Sequence, residues 1–131
     1  MIAPKVLKSI SRARLRDAAV LLGAKRYDGA VYLSGYAVEM ALKARICQTL
    51  RWAGFPETQQ EFKGLGSVKT HDLEILLRFS GIEPRIKKKY FAPWSVMLDW
   101  DPEKRYQRAG QATEQEANDM ISSATKLLAA I

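Results

Sequence analysis

With 131 residues and a hydrophobic fraction of 47%, the chain is long enough for one domain with its own core. One cysteine and one histidine exclude an internal disulfide, a multi-cysteine zinc site and a two-histidine metal site within one subunit. The net charge of +7 points to anionic partners: nucleic acid, a nucleotide or an acidic protein surface.

Residues Met1 to Lys8 read as a short lead-in, in which Pro4 blocks an early helix. The stretch Met1 to Leu22 has positive charges early but lacks the continuous apolar region of a secretory signal, so a cytoplasmic location is expected. Ser9 or Ser11 then caps a first helix that runs to about Lys25. Leu15, Ala18, Ala19 and Leu22 make its buried stripe, and Arg12, Arg14 and Arg16 make a solvated basic flank.

The next stretch, Asp28 to Ala53 (DGAVYLSGYAVEMALKARICQTLRWA), predicts the longest helix. Asp28 is placed as its N-cap, and Gly54 with Pro56 supplies the stop. So short a connection makes the first two helices antiparallel neighbours. At about 100° per residue, Leu33, Met40 and Cys47 fall on one side, and Val31, Val38 and Leu42 on another. A helix apolar on several sides is buried on several sides, so this is the expected central helix of an all-α domain. Cys47 is then a small buried hydrophobe. The third side carries Tyr32, Tyr36, Glu39 and Lys43, with Gly35 beside them. A carboxylate and an ammonium in mid-helix interrupt the best candidate for a membrane span, and both are costly to bury unless paired.

Glu57 to Val68 reads as a polar loop. Its GLG is not a phosphate loop, because no strand precedes it and the Lys-Ser/Thr end is missing. Thr70 caps a third helix with Asp72 and Glu74 in its first turn, Leu73, Leu76 and Leu77 inward, and Gly81 at its close. A fourth helix starts at Glu83-Pro84 and ends near Phe91. Its run Lys87, Lys88, Lys89 is a solvated face, although Tyr90 and Trp94 add the aromatics that a nucleic-acid surface uses. Pro93 to Gly110 reads as irregular, packed on the bundle by Trp94, Trp100 and Tyr106. Thr113 and Glu116 form a capping box for the last helix, where Ala117, Met120, Ile121, Ala124, Leu127 and Leu128 follow at helical spacing. Without repeats or a composition break, residues 1–131 read as one helical domain.

Three segments, YDGAVYLSGYAVEMALKARI, THDLEILL and a later RY, resemble the HEPN domains of prokaryotes. The most specific part is GYAVEMALKA, and the likeness extends from Arg12 to the last helix. It implies an up-and-down bundle of four to five helices, usually dimeric. Family roles include toxin ribonucleases, partners of nucleotidyltransferase antitoxins and nucleotide-binding modules. The residues that match are Glu39, Lys43, His71, Arg105 and Tyr106. The family's ribonucleases also place an Arg shortly before the His. Here the positions for it hold Gly64, Leu65 and Gly66; Lys69 is too close and Lys63 one place too far. Nuclease activity therefore does not carry over with the resemblance.

These residues also make sense by themselves. His71 stands at the start of a helix, where backbone N–H groups favour an anion. Lys43 and Arg105 add positive charge, and Tyr36 and Tyr106 offer hydroxyls and stacking faces. Glu39 orients Lys43 or accepts from His71. The plainer alternative is an i,i+4 Glu39–Lys43 pair with His71 as a local cap residue. The expected function is a cofactor-free binding module for nucleotide or RNA phosphate, homodimeric and paired with a nucleotidyltransferase-type protein. The homodimer is expected from a central helix apolar nearly all round and from three Trp that a monomer need not bury. Two alternatives stand beside it. One is a metal-independent ribonuclease with His71 as general acid/base. The other is a structural dimeric partner whose polar seam fixes helix register.

Overall fold

The computed structural model describes residues 1–103 and 108–131. Among the described residues six α-helices follow one another: α1 (Pro4–Gly23), α2 (Tyr27–Leu50), α3 (Leu73–Ser80), α4 (Glu83–Lys89), α5 (Phe91–Met97) and α6 (Glu114–Ala130). Among the described residues there is no strand, only an isolated antiparallel bridge between Ile2 and Phe55. The protein is an all-α bundle. No helix among the described residues is long and apolar enough to cross a membrane.

Helix α2 lies at the centre, against α1, α6 and α3. Ala30, Val31, Ala37, Val38, Met40, Leu42, Ala44, Ile46 and Cys47 are all buried along it. Helix α1 runs antiparallel to α2, since Leu21 meets Gly29 near the connection and Ser11 meets Ala37 farther along. Helix α3 runs with α2: His71, just before α3, reaches Glu39, and the Ser80 carbonyl accepts from Thr49 Oγ1 at 2.5 Å. Helix α6 runs the same way, from Asp28 at its start to Ala41 and Arg45 near its end. Strict up-and-down alternation therefore fails at the step from α2 to α3.

Several boundaries differ from the expectation, each for a local reason. Pro4 opens α1 instead of blocking it, because the first helical position needs no N–H and suits the fixed φ of proline. Ser11 is not a cap. It is buried inside α1 and donates to the Ala37 carbonyl at 2.7 Å. The buried stripe is Leu7, Ser11 and Ala18, with Leu15 and Leu22 half-buried, while Ala19 faces solvent. Asp28 lies in the first turn of α2, and its carboxylate accepts from the N–H groups of Gly110 (2.6 Å) and Ala112 (2.8 Å). Those two hydrogen bonds hold its pKa below the ordinary value. Helix α2 ends at Leu50, earlier than Ala53, because Arg51 turns left-handed at φ 56°. The N-cap of α3 is Asp72, which accepts from Glu74 N and Ile75 N, while Thr70 Oγ1 accepts from Asp72 N.

The largest departure is α5, in a stretch that reads as irregular. Trp94 and Met97 bury one face of it, and Trp94 Nε1 donates to Glu74 on α3 at 3.0 Å. Lys87 also pairs with Glu74. Partial burial opposes ionisation of Glu74, but the hydrogen bonds from Lys87 and Trp94 prevail and its pKa is lowered. Beyond α5, Trp100 is buried against α2 and donates through Nε1 to the Tyr32 carbonyl at 3.1 Å. The burial of Trp94 and Trp100 within one chain removes one of the two reasons for expecting a dimer.

Gly35 is the seat of that indole. A Cβ at position 35 would lie 2.2 Å from the Trp100 ring. In an open helix, Gly→Ala stabilises by about 1 kcal/mol. Here we expect Gly35→Ala to destabilise by about 1–3 kcal/mol, the usual consequence of overpacking. Gly23→Ala, with nothing within 4 Å of the new methyl, is expected to be neutral or stabilising. Denaturant melts of the two variants check this, and equal effects would show that Trp100 is not seated on Gly35.

Candidate functional site

Glu39 is only 1% exposed, yet it sits in the middle of the central helix. A lone carboxylate there would lose several kcal/mol of hydration. Two side chains compensate. Lys43, one turn later on the same helix, places Nζ 2.9 Å from Oε2. His71, from the turn before α3, places Nδ1 3.0 Å from Oε1 and 3.2 Å from Oε2. An ionised carboxylate only accepts, so His71 presents Nδ1–H to Glu39. The ring is 62% exposed, and its Nε2 is left for other contacts.

These three residues stand at a cleft of about 490 Å³, also lined by Tyr36, Phe55, Phe62, Lys69 and Thr70. Phe55 is held by the pair of 2.8 Å backbone hydrogen bonds to Ile2. Lys43 Nζ lies 5.2 Å from the Phe55 ring centroid, and Lys69 Nζ lies 5.6 Å from that of Phe62. The two rings meet edge-on at 6.1 Å. Such contacts hold ammonium groups over apolar walls. Glu57 on the rim pairs with the Met1 ammonium at 2.9 Å.

Tyr36 closes one side of the cleft and stacks on Tyr32 with centroids 6.4 Å apart. Burial first, and then the negative charge of Glu39, push its pKa up, so the phenol keeps its proton. On the other side of His71 a shallow recess of about 660 Å³ carries Asp72, Glu74, Asp99 and Asp101. Like-charge repulsion there favours anion approach to His71 from the Lys43 and Lys69 side.

The structure thus brings together Tyr36, Glu39, Lys43 and His71 of the expected set. Arg105 and Tyr106 lie outside the described residues. Lys69, Phe55 and Phe62 belong to the cleft but stand in or beside a polar loop, where no periodicity marks them. Of the plainer alternative, one half is realised and the other is not: Glu39–Lys43 is an i,i+4 pair, but Asp72, not His71, caps α3. Among the described residues, no cluster of three or more His, Cys, Asp or Glu could hold a metal ion. Comparison of the chain with protein-family models, curated proteins and solved structures finds no match.

Removing one partner of a buried pair leaves the other charge uncompensated. We therefore expect Lys43→Met to destabilise by about 3 kcal/mol. The double variant Glu39→Leu/Lys43→Met should cost less than the two single changes summed. Denaturant unfolding of the four-member cycle measures this, and simple additivity would show that the pair is not coupled.

Proposed function

We propose that this chain is a HEPN-like helical module that binds the phosphate of a nucleotide or RNA in the Lys43–Lys69–His71 cleft. The observation that carries the reading is the buried Glu39, which fixes Lys43 and His71 at one opening. Lys43 and Lys69 supply charge, and His71 supplies a donor through Nε2 when protonated. Tyr36 and Phe62 supply faces for a base or ribose. The net charge of +7 supports the same reading, since it attracts polyanions from a distance. The HEPN resemblance adds the setting: a homodimer working with a nucleotidyltransferase-type partner, as in a toxin–antitoxin pair.

A ribonuclease reading has one specific observation in its favour. Glu39 orients the His71 ring through Nδ1 and leaves Nε2 outward, the arrangement of a general acid/base. Cleavage also needs a charge stabiliser held on the same phosphate. The positions that would supply the family's Arg hold Gly64, Leu65 and Gly66, and Gly64 adopts φ 78°, which strains any side chain. Binding asks less of this site than cleavage does.

The test is purified protein with labelled single-stranded RNA, ATP and GTP at low and moderate salt, beside His71→Ala. We expect weak binding that falls as salt rises, is reduced by His71→Ala and shows little or no RNA turnover. Cleavage that His71→Ala abolishes would make the ribonuclease reading correct. Absence of binding at low salt would leave a structural partner whose polar seam sets helix register.

A further inference from the structure

A second cationic pocket lies on a different face of α2. Lys43 and Arg45 are two positions apart, about 200° around the helix, so they point to nearly opposite sides. Arg45 lines a cavity of about 190 Å³ between α1, α2 and the end of α6. The other polar side chains around it are Lys8, Arg12, Ser11 and Gln48, and the apolar wall is Ala41, Leu128 and Ile131.

Lys8, Arg12 and Arg45 carry only donors, while Ser11, whose one proton is already given away, offers none. Gln48 Oε1 accepts from Arg45 Nη1 at 3.3 Å, which leaves the Gln48 amide N–H groups. The Ser11 hydroxyl donates to the Ala37 carbonyl at 2.7 Å. Arg45 Nε is covered by protein and has no hydrogen-bond partner. Among the described residues, no carboxylate stands within 4.0 Å of Lys8, Arg12 or Arg45.

From this we infer that the Lys8–Arg12–Arg45–Gln48 pocket is an oxyanion site, separate from the His71 cleft, that takes a phosphate group. Lysine ammonium, two guanidinium groups and an amide reach it from two helices. That suits a compact, multiply charged tetrahedral anion better than a planar carboxylate with one charge.

The experiment is a nitrogen-15 NMR titration of the full chain at fixed ionic strength. The probes are inorganic phosphate and adenosine 5′-monophosphate, with acetate and chloride as controls. We expect the Arg45 Nε and Gln48 side-chain amide signals to move saturably with phosphate and not with acetate. Arg12 is exposed, so Arg12→Gln should leave the melting temperature unchanged. It should weaken phosphate at this pocket by at least about tenfold, the equivalent of one charge-assisted hydrogen bond. The response of the His71 ring should stay as in the wild type, which separates this site from the proposed nucleotide cleft. Movement of Arg45 by the monophosphate as well identifies a phosphomonoester as its source, and movement by inorganic phosphate alone identifies the free anion. Equal response to acetate, failure to saturate, or affinity unmoved by both Arg12→Gln and Arg45→Gln would overturn the assignment.

Discussion

The burial of one carboxylate, Glu39, sets terms for much of the molecule. It stands on the helix that every large element packs against, so it cannot turn to water. Its compensation has to come from neighbours. Lys43 comes from the same helix by the i,i+4 geometry alone. His71 comes from a segment 32 positions away, so its contact with Glu39 fixes where α3 begins. The far end of α3 is then held by Thr49 on the Ser80 carbonyl. Two polar contacts along α2 thereby set both the direction and the register of α3. The same requirement places an oriented imidazole and an ammonium at the mouth of a cleft, so the stability of the fold and the chemistry of the cleft depend on one interaction.

A second constraint acts through volume. Gly35 removes one side chain from α2, and the Trp100 indole fills the space. Its N–H is satisfied by the Tyr32 carbonyl, and its ring lies 6.2 Å from Tyr32, which in turn stacks on Tyr36. One wall of the cleft therefore rests on a contact made by the segment after α5. Asp28 does similar work at the start of α2, where it fastens the segment before α6 through two backbone N–H groups.

The central helix, its burial on several sides and the Glu39–Lys43 pair were legible because helical periodicity and the cost of an unpaired charge are both local arguments. The meeting of Glu39 with His71 was an expectation from charge pairing and family pattern, and its geometry needed the packing of α3. The ends of helices were less legible. Pro4 and Asp28 each have two good local roles, and tertiary contacts decide between them: Pro4 opens a helix, and Asp28 reaches Gly110 and Ala112. Helix α5 was missed because Pro93 suggests a break, yet proline is tolerated in a first turn. Lys69, Phe55 and Phe62 carry no periodic signal, and the Ile2–Phe55 bridge with the Met1–Glu57 pair brings that loop over Lys43.

The central claim is that Glu39 holds His71 through Nδ1 so that Nε2 faces a ligand in the cleft. Nitrogen-15 NMR of the His71 imidazole tests it directly, because the two ring nitrogens report separately on protonation and hydrogen bonding. In the free protein the account predicts a proton on Nδ1 engaged with Glu39, and a shift of Nε2 when nucleotide or short RNA is added. A ring protonated on Nε2 alone, with Nδ1 unbonded and neither signal moved by the ligand, would contradict it.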